Sequence, residues 1–434
     1  MQRKKNASRF WWALVIFGLT GQVAWVVENM YFNVFLYQMF HASASAISAM
    51  VSASAVSATV TTLLIGALSD KVGRRKAFIC GGYILWGLSI AAFALIRVDY
   101  LSALFPTVSA AALGVTLTIV LDCIMTFFGS SANDAAFNAW LTDSTDHTNR
   151  GAAEGINAMM PLVAILVVFG GFMSFDLSLA SSWTTIFLLI GGAVILIGVL
   201  GMFLIKDTAV KIPENAHYFR NIVYGFRPSV MRSNPVLYAA LAAFAVFGIS
   251  IQIFMPYLIL YYQVSLQMDN YVLIMAPAII LASVATAFYG RLYDCVGFGR
   301  SAVPALVLLM VGYALLYSFR GTALVFIGSL LMMTGYLAGM AVFGAMLRDH
   351  TPENKAGMFQ GLRIVAQVLI PGVIGPAIGA AVLKNADTIV NSDGTTSFVP
   401  NANIFLAAGA AAVLVWVALA LVLRIKKGES TRES

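Results

Sequence analysis

GALSDKVGRR runs from Gly66 to Arg75, and GRLYDCVGFGR runs from Gly290 to Arg300. Each closes a long apolar run. Each holds a glycine, an aspartate four residues later, a glycine three residues beyond that, and then an arginine. A second pair of echoes follows: DHTNRGAAEGI from Asp146 to Ile156, and DHTPENKAGMFQGL from Asp349 to Leu362. Gly151 aligns with Gly357, Glu154 with Gln360 and Gly155 with Gly361. Two independent matches at equivalent loops make internal duplication the best explanation.

Of 434 residues, 60% are hydrophobic and only 10% are charged. Soluble globular chains carry about 25% charged residues. A water-soluble fold could not hide this much apolar surface, whereas lipid can cover it. A spanning helix needs about 20 mainly apolar residues. Twelve such stretches fall near 10–38, 45–68, 77–97, 110–142, 152–175, 183–205, 236–263, 271–291, 301–319, 322–347, 358–383 and 403–425. The expected fold is an all-α membrane protein of twelve helices. Residues 1–205 form one six-helix half, 206–235 a cytoplasmic linker, and 236–434 the second half. The fourth stretch is the hardest to bound, because apolar sequence runs from Leu101 to Leu141; Pro106 is placed at its start and Gly129 at a bend.

The charges orient the spans. Arg3, Lys4, Lys5 and Arg9 precede the first helix, and Lys71, Arg74, Arg75 and Lys76 follow the second. Lys206, Lys211, Arg220, Arg227 and Arg232 fill the linker, and Arg424, Lys426, Lys427 and Arg432 close the chain. The alternate loops hold only Arg97, Arg320 and Lys384. Positive charge gathers on the cytoplasmic side, so both termini are expected there, in the cell (plasma or inner) membrane. The net charge of +7 serves orientation, and no nucleic-acid partner is expected. The basic start and apolar run of 10–40 lack a cleavage site and read as a retained helix.

Cys80, Cys123 and Cys295 are scattered and make no disulfide framework. No metal-ligand spacing and no catalytic constellation appears, so neither a metal, a cofactor nor an enzymatic activity is expected. The expected partners are lipid and a small-molecule substrate, with the chain acting as a monomer.

The glycines of the loop motif let two helices turn and approach closely. Asp70 can accept from helix-end amides or pair with an arginine. Arg74 and Arg75 can reach an acidic helix end such as Asp143. A latch of this kind would hold one conformation and release in another. Its expected members are Gly66, Asp70, Gly73, Arg74, Arg75 and Asp143, with Gly290, Asp294, Gly297, Arg300 and Asp349 in the second copy.

Ionisable residues inside a span are functional candidates by default. On helix 1, Gln22, Trp25, Asn29 and Asn33 fall within about 80° of one another at helical periodicity, with Glu28 on the flank. On helix 4, Asp122, Thr126, Gly129 and Asn133 share a face, and Asp134 and Asn138 border it. Helix 7 offers Gln252 and Tyr261, and helix 11 offers Arg363 and Gln367. Counting rise per residue places Glu28 and Asp122 toward the outer side and Asp134 toward the inner side. The first half has three intramembrane acids and no intramembrane Lys or Arg. Unpaired buried acids take up a proton or recruit a cation. Glu28 with Asp122, or Asp134, is the expected site of coupling to H+ or Na+. Gln22, Trp25, Asn29, Asn33, Asn133, Asn138, Gln252, Tyr261 and Gln367 supply the amides, hydroxyls and rings that suit a neutral polyhydroxylated ligand.

The G-x-L-S-D-x-x-G-R-R loop resembles the signature loop of the major facilitator superfamily, and the resemblance covers nearly the whole chain. It implies alternating access, with substrate bound midway between two rocking halves. The run 66–79, Asp122 and the N-R-G-x-x-E-G loop at 149–155 are similar to those of the glycoside-pentoside-hexuronide:cation symporters and their sucrose-carrier relatives. In that family, carboxylates of helices 2 and 4 serve sugar and cation. Here the second helix, Ser45 to Leu68, has no acid, so Glu28 or Asp134 must take that role. The helix-4 arginine of many proton-coupled members is also missing; Asp122 stands near its position. The expectation is a secondary active transporter, a proton- or sodium-coupled symporter of a small sugar or glycoside. The alternative is proton-coupled efflux of drugs or other amphiphiles.

Overall fold

The computed structural model describes residues 2–145, 149–206, 224–268, 270–351, 356–391 and 394–433. Among these, twelve helices are long and apolar enough to cross a membrane: Ser8–Phe40, Ala44–Gly66, Arg75–Leu95, Ala110–Asp143, Gly155–Phe172, Ala180–Leu204, Pro235–Ser265, Val272–Tyr289, Arg291–Ser318, Thr322–His350, Gly361–Val382 and Asn403–Lys427. They are helices 1 to 12 below. The chain separates into two compact units, Met1–Ala216 and His217–Ser434. The twelve spans and their order match the sequence expectation. Leu64, Leu104, Leu189 and Val284 are large, apolar and exposed, as surfaces in contact with lipid acyl chains require.

Local chemistry sets the ends. Helix 1 stops at His41, whose left-handed φ of 49° turns the chain, and Ser43 caps helix 2 by accepting from the Ala46 amide at 3.2 Å. The long apolar run from Leu101 resolves into a short helix, Val98–Leu104, then a turn holding Pro106, then helix 4, capped by Ser109. Directly after Gly129, helix 4 widens into a π-helical segment, Ser130–Phe137. Helices 8 and 9 differ from expectation. They run on almost without a loop, broken only at Gly297, whose φ of 76° no helix accommodates. The polar stretch after helix 11 is not plain loop; it holds a small hairpin of strands β1 (Thr388–Val390) and β2 (Thr396–Phe398).

Without a hydrophobic drive between helices in lipid, small residues at the contacts let backbones pack closely. A Cβ on Gly87 of helix 3 would lie 2.6 Å from the Gly191 carbonyl oxygen of helix 6, and one on Gly191 would lie 2.7 Å from the Gly87 oxygen. In the second unit, Gly312 of helix 9 lies against the Met332 backbone and Gly335 of helix 10 against the Leu309 backbone. Close glycine contacts thus join helices 3 and 6 in the first unit and helices 9 and 10 in the second. Replacing Gly191 by Val should force helices 3 and 6 apart and destabilise the protein by about 1–3 kcal/mol. Gly192, with open space where a Cβ would go, is the control. Thermal unfolding in detergent should show a lower midpoint for Gly191→Val and no loss for Gly192→Ala.

Candidate functional site

The loop motif forms a real contact in each unit. Gly73 ends the helix containing Ala44–Gly66 in a left-handed conformation, φ 69°, and donates its N–H to the Ser69 carbonyl. That turn brings Arg75 back over the helix end. The Arg75 guanidinium donates to Ser69 Oγ at 2.6 Å and to Asp143 Oδ2 at 3.2 Å. Arg75 is buried at 3% exposure, whereas Asp143 keeps 28% of its side chain open to solvent, so the pair is only partly screened by water. Arg74 is exposed. Gly66 lies on helix 2 with the Ala135 methyl near it. The Asp70 side chain and Gly290 lie outside the described residues, as do 146–148 and 352–355. In the second unit Gly297 repeats the left-handed turn. There Tyr293 Oη donates to Asp349 Oδ2 at 2.5 Å, while Asp294 and Arg300 are exposed. One ion pair and one hydroxyl-to-carboxylate hydrogen bond thus lie beside the two left-handed turns, with different donors, since Tyr293 stands at the position of Ser69 and not of Arg75.

The three intramembrane acids of the first unit, Glu28, Asp122 and Asp134, form two clusters. Glu28 lies in a π-helical segment of helix 1, Val27–Tyr31, and is only 6% exposed. Its Oε1 accepts from Ser54 Oγ of helix 2 at 2.6 Å and from Thr126 Oγ1 of helix 4 at 2.9 Å. The two hydroxyls lie 2.9 Å apart. Ser57 Oγ, one turn along helix 2, donates to the Cys123 carbonyl at 2.9 Å and ties helix 2 to helix 4. Asp122, one turn from Thr126, is fully buried and within electrostatic range of Glu28. Glu28 Oε2 and Asp122 Oδ1 are sealed from solvent without a hydrogen-bond donor. The ion pairs among the described residues are Arg75–Asp143 and Arg97–Asp99; neither cation serves this cluster.

The second cluster occupies the π-helical segment of helix 4. Asp134 accepts from Ser130 Oγ at 3.0 Å and from Asn133 Nδ2 at 3.3 Å. Asn133 Oδ1 accepts from the Tyr83 hydroxyl at 2.9 Å, which also lies 2.9 Å from the Phe17 carbonyl. Gly21 of helix 1 leaves room for Asn133 and Tyr83. Beside them the Trp25 and Trp86 rings lie 5.0 Å apart over Gly129. Gln22, Trp25 and Asp134 are half-buried, and Asn29 and Asn138 are exposed. Asn29 and Asn138 donate to the backbone one turn earlier on their own helices.

Some candidates sit elsewhere than the sequence placed them. Asn33 is 1% exposed and donates to the Asn29 carbonyl. The π-helical turn adds a residue between Trp25 and Asn33, so a constant 100° step no longer holds and Asn33 rotates off the Gln22 and Trp25 face. In the second unit Gln252 is half-buried against Gly375. Tyr261 is 1% exposed and donates to the Leu316 carbonyl at 3.1 Å, a packing contact between helices 7 and 9. Gln367 accepts from Arg363 Nε at 3.2 Å. The sequence reading missed Ser54 because it searched helix 2 for an acid. The signal was a hydroxyl stripe, Ser54, Ser57 and Thr61, at helical spacing.

The comparisons with known proteins cover different shares of the chain. A curated relative, the sugar efflux transporter B of Salmonella typhimurium, is 28% identical over 200 residues; the match covers 46% of this chain and 46% of the relative's own length. The solved structure of the nucleoside transporter NupG superposes with a TM-score of 0.70 at 11% identity, covering 95% of this chain and 98% of that one. The D-xylose-proton symporter gives 0.67 at 15% identity, covering 94% and 97%. At such identities the likeness is one of fold. The sequence model of the Major Facilitator Superfamily matches residues 10–376. With twelve spans in two repeated units, this multi-pass membrane chain belongs to the Major Facilitator Superfamily of transporters.

Proposed function

We propose that the chain is a proton- or sodium-coupled carrier of a small sugar or glycoside, working by alternating access, with both termini in the cytoplasm. One observation carries the coupling. Glu28 and Asp122 are buried together, each with an oxygen that has no donor, and no described cation is paired with either. Two such groups in a medium of low dielectric cannot both remain bare anions. A bound proton or alkali cation supplies the missing positive charge, and its arrival or departure changes how helices 1, 2 and 4 hold together. Asp134, held by Ser130 and Asn133, is the second candidate.

The substrate reading rests on chemistry nearby. Half-buried Trp25 offers a ring to the apolar face of a sugar, and Gln22, Asn29, Asp134 and Asn138 offer donors and acceptors for hydroxyls. The partial match to a sugar efflux transporter supports this substrate class and also favours a second reading, in which the same site exports the sugar.

The test is uptake into proteoliposomes of labelled sugars under imposed proton or sodium gradients. Wild type should accumulate one of them against its gradient under one of these ions. Glu28→Gln/Asp122→Asn keeps the shapes and removes both charges, so driven accumulation should vanish while exchange of sugar across the membrane persists. A double variant still fully driven by the ion would transfer the role to Asp134. Ser54→Ala/Thr126→Val removes two donors that hold the bare Glu28 carboxylate, each worth about 1.5–3 kcal/mol; if the coupling ion is a proton, half-maximal driven uptake should move to a lower proton concentration. For orientation, a C-terminal green fluorescent protein fusion should fluoresce and a periplasmic alkaline phosphatase fusion there should be inactive; the reverse pattern would overturn the topology.

A further inference from the structure

Over most of helix 4 every fourth residue is polar: Thr118, Asp122, Thr126, Ser130, Asp134, Asn138 and Thr142. Residues four apart in an α-helix overshoot a full turn and drift by about 40° per step. In a π-helical segment the turn is wider, and the same spacing falls short of a full turn. Helix 4 is α-helical through Gly129 and π-helical over Ser130–Phe137. The second drift opposes the first, so the polar row stays on one side of the helix. Exposure rises along it. Thr118, Asp122, Thr126 and Ser130 are sealed, Asp134 is half-buried, and Asn138 and Thr142 are exposed.

Both acid clusters stand on this row. Thr126 Oγ1 meets Glu28 Oε1 at 2.9 Å, and Ser130 Oγ meets Asp134 Oδ2 at 3.0 Å. Thr126 and Ser130 are one turn apart, a rise of about 6 Å, which one water molecule bonded to both hydroxyls spans. Helices 1, 2 and 3 and the short helix Val98–Leu104 pack against helix 4. Helix 1 contributes Glu28, and helix 3 contributes Tyr83, whose hydroxyl donates to Asn133 Oδ1. Helix 2 contributes the hydroxyls of Ser54 and Ser57. The Cys123 thiol lies within electrostatic range of Asp122 and Glu28. Asp99 of the short helix is paired with Arg97, and Arg75 meets Asp143 beyond the far end of the row.

The contacts at Glu28 discriminate between ions. Ser54 Oγ, Thr126 Oγ1 and Glu28 Oε1 make three mutual contacts, of 2.6, 2.9 and 2.9 Å. Two hydroxyls hold two hydrogens, so one contact of the three is bare. A proton on Oε1 supplies the third hydrogen and closes a ring in which each oxygen donates once and accepts once. Oε2 is then the carbonyl oxygen of a neutral acid, for which a missing donor costs far less than for an anion. An alkali cation brings no hydrogen and leaves the third contact unfilled.

We propose that the coupling ion is a proton and that helix 4 carries it between Asp134 and Glu28, with Ser130 and Thr126 as the links, so that the two acid clusters are successive stations of one path. This rests on the coupling reading above and not on the sugar reading. Asp134, beside the exposed end of the row, is the station that exchanges with water in this conformation. On loading, the Asp134 Oδ2–H bond breaks and its proton joins Ser130 Oγ, which releases its own hydroxyl proton to the bridging water. The water releases one to Thr126 Oγ1, and Thr126 gives its hydroxyl proton to Glu28 Oε1. Asp134 is left a carboxylate and Glu28 a carboxylic acid, and the hydroxyls and the water are regenerated.

The full-length protein is reconstituted in phosphatidylcholine vesicles free of sodium. A proton pulse is released from a photolabile donor, and carboxyl C=O absorption is followed by time-resolved infrared spectroscopy. Bands are assigned by their loss in Asp134→Asn and Glu28→Gln. In wild type the Asp134 band should rise first and the Glu28 band after it. Ser130→Ala should slow the Glu28 band by roughly tenfold or more, the loss of one hydrogen-bonded link, with the Asp134 band still prompt. Thr126→Val breaks the neighbouring link and should slow it in the same way. Ser130→Thr should keep the wild-type rate. So should Ser131→Ala, whose lost hydroxyl donates to the Phe127 carbonyl instead. Size-exclusion profiles like wild type show that each variant is folded. A Glu28 band that rises ahead of Asp134, or as fast in Ser130→Ala and Thr126→Val as in wild type, would overturn the relay. A Glu28 that stays ionised after the pulse and shifts its carboxylate absorption with added sodium would overturn the relay and leave the coupling reading standing. A Glu28 that answers neither ion would overturn both.

Discussion

A carboxyl group surrounded by hydrocarbon and apolar side chains has no water to answer it, so its partners must come from the protein or from an ion. Glu28 shows how far the protein goes toward meeting that demand. Ser54 and Thr126 both donate to one of its oxygens, and Ser57 fastens the same two helices one turn away. The other oxygen, and one of Asp122, are left without a donor. Three helices are joined around a group that they satisfy by half. A structural polar contact between membrane helices is usually worth about 0.6 kcal/mol and needs no leftover acceptors. A buried carboxyl pair with orphan oxygens is an expensive way to hold helices together and an effective way to make their packing depend on an ion.

The fold was legible because its causes are long and redundant. Apolar length, basic loops and two repeated motifs each point independently to the same twelve spans, so an error in one is corrected by the others. The site was legible only in part. Residue type identified Glu28, Asp122 and Asp134, since an acid in a span stands out whatever the geometry. Direction failed where it relied on uniform helical periodicity. Helix 1 is π-helical at Val27–Tyr31, and Asn33 beyond it turns inward. Ser54 escaped because helix 2 was searched for an acid, while the hydroxyl stripe that includes Ser54 is what meets Glu28, with Ser54 Oγ 2.6 Å from its carboxylate. Tyr261 was chosen for its hydroxyl, and the structure has that hydroxyl on a helix 9 carbonyl.

The repeat also clarifies what has diverged. Both units keep the left-handed glycine, Gly73 and Gly297, because the turn has no other economical residue. The side-chain contact built on it differs. Arg75 with Asp143 is a charge pair; Tyr293 with Asp349 joins a neutral donor to an acid. Breaking the first leaves two charges to be solvated, and breaking the second leaves one.

The π-helical segments follow the same divergence. They occur at Val27–Tyr31, Ser130–Phe137, Tyr261–Ser265 and Val365–Leu369, on helices 1, 4, 7 and 11. Such segments make up well under one per cent of residues in ordinary proteins and gather at functional sites. Helices 1 and 7 are partners in the duplication, so their shared widening fits an inherited feature. Helices 4 and 11 are not partners. Helix 10, the counterpart of helix 4, runs without such a segment among the described residues, and helix 5, the counterpart of helix 11, carries Pro161 instead. The unpaired segments are those that hold Asn133 and Asp134 in one unit and Gln367 beside Arg363 in the other. Backbone irregularity was thus added separately to each half at the place where that half carries intramembrane charge, negative in the first and positive in the second. Two halves that began alike now differ in the ionisable side chains their spans hold among the described residues, Glu28, Asp122 and Asp134 in the first and Arg363 in the second.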